Sequence, residues 1–414
     1  MSERRSSARR RFDPLDVAGM GPDISWLFWG MISWNLGLGL YVNLWPIYVE
    51  DLGATPTQIG LVIGLMAIGR LAVMLPSGIF ADRFDRRKVI WGGTFLTVPA
   101  ALIFAFSQTW WHLLPGVLFW GASSIGVASN GSYAAQAAAE GDRARVYTMI
   151  YTVGPAFAFI AGPIVGGIVS DAWGIRPLLG AGAALYGAGA LAISRISPRA
   201  LQRRDGDVAP TYREAFREPS VRAMALLMRA SLLVMTTGIT FIPNYQQDVY
   251  GMSLSEIGWL GAIGATGSIV LPLVMGKLRW LTPSRGIAIS VAGVGAVCLI
   301  VTLTGDWLVS IVAFPMRGWY TVAWVLFGAI VSEATSERLR GRGLGLMEFL
   351  GTFGFSVAPL IAGPMFGIAP SLPLLVAAAC SPLIVIAALV LERRVVQPAT
   401  RRAQEAAHAA AVAS

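Results

Sequence analysis

GIFADRFDRR, residues Gly78–Arg87, gathers two aspartates and three arginines between two long apolar runs. Lys88 follows, and the chain then turns apolar again. Only 13% of the 414 residues are charged, while 55% are apolar. A soluble domain averages about 25% charged residues. A chain this poor in charge has the bilayer as its solvent, and so tight a knot of charge marks a turn at the membrane surface. Backbone groups in hydrocarbon must be satisfied internally, which leaves helices or a closed barrel. The apolar runs are about twice the ten residues of a barrel strand. The fold class is therefore an all-α membrane protein.

Outward from this turn, runs of about 20 apolar residues recur twelve times: 25–49, 56–81, 88–107, 110–138, 145–169, 176–195, 222–247, 254–279, 286–304, 307–332, 343–367 and 371–391. The longest polar break, Ser197 to Ser220, separates two sets of six. The expected organisation is an N-terminal tail (1–24), a six-helix bundle (25–196), a linker (197–221), a second six-helix bundle (222–391) and a C-terminal tail (392–414). The opening MSERRSSARRRFDPLD is basic and has no small-residue cleavage site, so it is expected to be a retained cytoplasmic tail. Within the linker, Thr211–Arg217 suits either a short interfacial helix or a flexible tether.

Basic residues fix the orientation. With both termini inside, all of the 32 Lys and Arg fall on the cytoplasmic side except Arg176, which lies outside, and Arg70, Arg229 and Arg317, which lie within spans. The formal charge of +9 is thus topological signal and not a nucleic-acid footprint. Anionic lipid headgroups are a compatible partner, and the chain is expected to act as a monomer. Two cysteines inside apolar runs and two distant histidines give no disulfide, metal or cofactor site.

The halves repeat. Thr55-Pro56-Thr57-Gln58 opens the second span and Ser253-Leu254-Ser255-Glu256 the eighth, each with a capping-box pattern. At the same offset of 198, Gly69 matches Gly267, Gly78 matches Gly276 and Arg87 matches Arg285. At an offset of 201, Ala161-Gly162-Pro163 and Gly166 match Ala362-Gly363-Pro364 and Gly367. Parallel six-helix repeats with a site between them are a transporter architecture.

On these residues the chain resembles the major facilitator superfamily. Gly78, Asp82, Arg83, Arg86 and Arg87 are similar to that family's signature between spans two and three, with Asp85 where a second glycine is expected. Gly162, Pro163, Gly166 and Gly167 resemble the core of its antiporter motif, with Ala158 replacing a usual glycine. The resemblance spans roughly residues 25–391. It implies two six-helix bundles related by a pseudo-two-fold axis, N-in and C-in, working by alternating access, with spans one, four, seven and ten lining the cavity. The signature then serves as a gating latch on the cytoplasmic face, its arginines pairing with acids of the other half.

Ionisable groups inside spans cost about 2.5–3.5 kcal/mol even on the lenient scale, so each is a candidate site. Arg70, Arg229 and Arg317 are candidate substrate contacts, alongside Asn35, Asn43, Asn130, Tyr133, Gln136, Asn244 and Tyr320. Phe314, Trp319 and Trp324 offer an apolar wall or packing. Glu348, the only acid well inside a span, is either a candidate proton carrier or a partner for Arg83 or an adjacent arginine.

The expected function is a secondary transporter that exports a small organic solute in exchange for protons. An anion carrier using the intramembrane arginines and a non-transporting receptor on the same fold are the alternatives. No clustered catalytic set supports an enzyme. No Gly-x-x-x-x-Gly-Lys-Ser/Thr loop supports ATP use.

Overall fold

The computed structural model describes residues 17–138, 141–198, 211–278, 282–334 and 337–398. The surroundings of Gly78 and the side chains of Asp82 and Arg83 lie outside the described residues. So do both tails beyond these limits and linker residues 199–210.

Among the described residues there are helices and no strands. Nine of the twelve predicted spans are long and apolar enough to cross a membrane. The other three are one, four and six. Span one is Pro22–Gly39 followed, after a short break, by Trp45–Asp51. Span four is Leu113–Ser123 and Val127–Ala137, joined by a 3-10 turn at Ser124–Gly126. Span six is the 18-residue helix Arg176–Ile193, rich in glycine and alanine. Span ten is likewise interrupted by a 3-10 turn, Phe314–Gly318. Span seven breaks between Pro219–Ile239 and Ile242–Tyr250. Tight turns of this kind interrupt the main-chain bonding of a helix and often mark hinges or sites.

Both predicted capping boxes form. Thr55 N donates to Gln58 Oε1 at 2.8 Å to start span two, Pro56–Arg83. Ser253 N donates to Glu256 Oε2 at 2.8 Å to start span eight, Leu254–Lys277. The linker segment resolves to a helix, Tyr212–Arg217, capped by Thr211 and packed on span eleven, Glu337–Ile368. There Arg342 lies over the Tyr212 ring at 4.7 Å.

Spans three (Arg86–Phe106) and six run side by side and tie each other's ends. Arg87 Nη2 donates to Ser194 O at the end of span six, and Arg176 Nη2 donates to Ser107 O at the end of span three, 3.1 Å away. A cation at a helix C-terminus meets both the free carbonyls and the dipole. That explains Arg176, the one basic residue on the outer side.

Two seams join the halves. Span two packs on span eleven, and span five's helix Gly154–Trp173 packs on span eight. A Cβ on Gly60 would overlap Pro359 O, and one on Gly363 would sit 2.5 Å from Pro56 O. In the second seam, a Cβ on Gly258 would overlap Pro163 O, and one on Gly167 would sit 2.6 Å from Leu254 O. Only glycine permits backbones this close. These contacts correct the repeat register. Pro163 and Gly167 do for Gly258 what Pro359 and Gly363 do for Gly60, an offset of 196 and not 201. Five residues is about 140° around a helix, so Gly363-Pro364 is a coincidence of small residues and not the equivalent of Gly162-Pro163.

All these seam contacts lie at the ends predicted to face outside. Further inward, span two turns its small residues to its own half, where Gly69 and Gly121 touch. Among the described residues no comparable seam joins the inner ends of spans four and ten. Among the described residues the halves are joined at the outer end.

Candidate functional site: a cavity between the halves

Between the seams and the inner mouth lies a cavity of about 600 Å³. It is lined mainly by spans one to four, with Thr236, Ile239, Thr240 and Pro243 from span seven, Arg317 from span ten, and Phe355 and Pro359 from span eleven. Volume and apolar character fall within the range of small-molecule sites.

Four predicted contacts line it: Asn43, Arg70, Asn130 and Arg317. Asn43 sits under the outer roof, against Gly261 of span eight. Asn130 on span four donates a weak bond to Met31 Sδ at 3.5 Å, while its Oδ1 is buried without a partner. Arg317 is carried by the 3-10 turn of span ten and lies over the Phe314 ring at 5.3 Å. That turn is pinned by backbone contact, since a Cβ on Gly318 would overlap Gly267 and Ser268 of span eight. Arg70 lies exposed on the cavity wall.

Six predicted contacts are placed elsewhere. Asn35 is buried and bonds Met31 O one turn back at 2.7 Å, which returns its amide to its own helix. Tyr133 is fully buried at the inner end, its hydroxyl donating to Ser197 O at 2.9 Å. Gln136 and Tyr320 are half-buried and do not line the cavity. Arg229 is exposed on span seven with its guanidinium 4.5 Å from the Phe353 ring, beside the cavity and not in it. Asn244 is fully buried at the outer end, where its amide donates to the Glu50 carboxylate across the halves. It belongs to the seal. Phe314, Trp319 and Trp324 pack within the second half, Trp319 against Gly293.

Glu348 faces Arg70. The two lie on spans eleven and two, so their charges interact across the halves. The pairing with Arg83 expected from sequence falls on a side chain outside the described residues; the described arginine whose charge acts on Glu348 is Arg70, deeper along span two. A helix rises 1.5 Å per residue, and Glu348 sits too far along span eleven to stay at the membrane surface.

The signature turn is resolved in part. Asp85 has φ −55° and ψ 120°, an extended conformation with negative φ that needs no glycine. Its carboxylate accepts from Arg87 N at 3.0 Å and caps span three. Arg86 is buried with Nε and Nη1 unpartnered. Arg87 is engaged with span six, within its own half. Among the described residues, Arg86 and Arg87 of the signature make no hydrogen bond to the other half.

The Gly-Pro motif of span five is a packing surface. A Cβ on Gly162 would sit 2.6 Å from Gly39 C, and one on Gly166 would overlap Leu40 O of span one. Ala158, where glycine was expected, is fully buried with its carbonyl pressed on Gly39, so alanine is tolerated because span one supplies the glycine.

The family model for the Major Facilitator Superfamily matches residues 27–279 and 228–413, nearly the whole chain. The chain belongs to this superfamily. The quinolone resistance protein NorA of Staphylococcus aureus is 22% identical over 86% of this chain and 93% of its own length. An uncharacterized MFS-type transporter of Methanocaldococcus jannaschii is 34% identical over 34% of this chain and 36% of its own. The crystal structures of the nucleoside transporter NupG (TM-score 0.76, 13% identity, 89% of this chain and 99% of that one) and of a peptide transporter POT (0.76, 12%, 94% and 99%) share the fold. Homologues and fold are those of transporters and not of enzymes.

Three features of this facilitator were missed in the sequence. Trp34 and Trp120, from spans one and four, form the cavity's ring wall, stacked 6.0 Å apart at 22°. Tyr186 stands behind them, 6.0 Å from each, and shares a 2.8 Å hydroxyl bond with Tyr41. Asp171, on span five, accepts from Leu254 N and Ser255 N at 2.9 Å each. It caps span eight from the opposite half. A lone acid at the outer end of the Gly-Pro span, facing a capping box, was the available signal.

Proposed function

We propose that this facilitator is a gradient-driven exporter of small amphipathic organic solutes, working by alternating access in a bacterial plasma membrane and exchanging its cargo for protons. The observation that carries this reading is the cavity between the halves, roofed at the outer end by glycine seams and lined inward as far as Ile90 and Asn130. Its mixed lining suits a solute with an apolar body and a polar end. Similarity to a quinolone resistance protein along most of both chains supports export over uptake.

Glu348 is the proton carrier in this reading. Arg70 faces it from the other half, so gain or loss of a proton at Glu348 alters an attraction that spans both bundles. Charge at that position is felt directly by the equilibrium between inward-open and outward-open states. The cytoplasmic signature closes the inner mouth in the alternate state.

The test is flux in proteoliposomes with an imposed pH difference. Outward movement of a fluorescent amphipathic solute is expected to rise with the gradient and to be accompanied by counter-movement of protons. Solute flux that is indifferent to the gradient, or unaltered in Glu348→Gln, overturns proton exchange.

A further inference from the structure

We propose that the cavity is built for an organic monoanion carrying a flat ring system, and that its two arginines divide the work. Arg317 anchors the cargo's negative group, while Arg70 attends Glu348. This rests on the export reading for its direction and on the cavity alone for its ligand class.

The first argument is the inventory of charge. Two arginines line the cavity, one from each half, and no aspartate or glutamate lines it. A cationic cargo would enter a site of its own sign with no carboxylate to meet it. An anionic cargo meets complementary charge on two sides.

The second argument separates the arginines. The charge of Glu348 acts on Arg70 across the halves, though among the described residues Arg70 has no carboxylate at ion-pair distance. Arg317 has the face of Phe314 and, among the described residues, no carboxylate at ion-pair distance. A guanidinium held at membrane depth without a counter-ion is costly. It is nevertheless held rigidly, on a turn fixed by backbone contact with Gly267. The flat fork of a guanidinium accepts a carboxylate through two parallel hydrogen bonds, which is the geometry that most lowers this cost.

The third argument is the rest of the lining. Trp34 and Trp120 present ring faces, and Met31 and Met66 supply adaptable apolar surface. A bare inorganic anion would exchange its water for these walls at a loss. A ring system with one carboxylate gains on both counts, and about 600 Å³ leaves room for two or three fused rings. Export of such an anion in exchange for a proton moves charge in the direction favoured by a negative-inside potential, so potential and pH gradient act together.

A matched set of probes tests the assignment: 2-naphthoate, 2-naphthamide and 2-naphthylmethylammonium, titrated calorimetrically into the purified full chain in lipid nanodiscs. The carboxylate is expected to bind at least about tenfold tighter than the amide and tighter still than the ammonium. Arg317→Gln is expected to erase the carboxylate's advantage while leaving the weak affinity for the amide. Arg317→Lys should keep part of it. Arg229→Gln, altered outside the cavity, should change neither. The Gln variant is scored only against the amide, which reports that the cavity is still folded.

Equal affinities for carboxylate and amide, tighter binding of the ammonium, an advantage that survives Arg317→Gln, or no binding of any probe below ~1 mM would each overturn the proposal. Flux separates it from the export reading. Gradient-driven export of the ammonium but not the carboxylate leaves an exporter with the wrong cargo class. Selective carboxylate binding without gradient-driven flux leaves the ligand class and removes the exporter.

Discussion

At the outer end of the cavity the two halves meet backbone to backbone; at the inner end the described polar groups of the first half bond within that half. The outer seams use Gly60, Gly167, Gly258 and Gly363, with Asp171 and the Asn244–Glu50 contact beside them. At the inner end, Arg87 is spent on Ser194, Asp85 on Arg87, and Tyr133 on Ser197, all inside the first half. The difference shows how one protein can be tightly shut on one side and loose on the other. Close packing depends on shape and fails abruptly when a side chain is added. Charge capping is graded, and a small motion can redirect it to another partner.

The strongest way to break this contrast is to wedge the outer seam. Gly60→Val or Gly258→Val places atoms on a carbonyl of the opposite half. Overpacking of this kind costs about 1–3 kcal/mol or more, so the outer-closed state should lose about tenfold or more in population. Cavity residues such as Asn43 should become reactive, as cysteine variants, to an impermeant reagent added outside. Gly276→Ala, where a Cβ meets nothing within 4 Å, is the matched substitution at the inner end and should leave both stability and flux intact.

Next in size is Glu348→Gln. It removes the charge that Arg70 faces across the halves, and proton-driven flux is expected to fall at least about tenfold while cargo binding measured at equilibrium is retained. Concurrent loss of binding would make Glu348 a cargo contact.

A graded effect is expected from Asp171→Asn. The amide can still accept hydrogen bonds but loses the charge at the start of span eight, an interaction of about 0.3–1 kcal/mol. The inward-open population should fall by about two- to fivefold, read as an altered split of two-state fluorescence or spin-label distances. No shift would mean that the glycine seams alone close the outer end.

The smallest effect belongs to the signature turn. Asp85→Ala should lower stability by about 1 kcal/mol through loss of a helix cap, and Asp85→Gly by only a few tenths. Both should melt cooperatively with unchanged cargo selectivity.

The comparison also explains which parts of the molecule could be read from sequence. Cap chemistry is local, so Thr55-Gln58 and Ser253-Glu256 were legible and formed as expected, while the Thr211-Glu214 cap settles in favour of a helix a segment that the sequence left between helix and tether. The cavity was legible only in part. Asn43, Arg70, Asn130 and Arg317 line it, whereas Asn35, Tyr133, Arg229 and Asn244 do not. In a soluble helix the polar stripe tells the inner face from the outer; in a bilayer the lipid is as apolar as the core, and that contrast is lost. The tryptophan wall was hidden for the same reason, since Trp34 and Trp120 look no different in sequence from Trp111 and Trp173, which stand exposed at span ends.

The turn Phe314–Gly318 has a consequence for the protein's history. It carries Arg317 into the cavity, yet its backbone is braced by span eight, away from the two seams that close the outer end. With Arg317 in its proposed role, cargo preference and outer closure sit on separable stretches of chain, and a single codon change at position 317 alters the first while leaving the glycine seams as inherited.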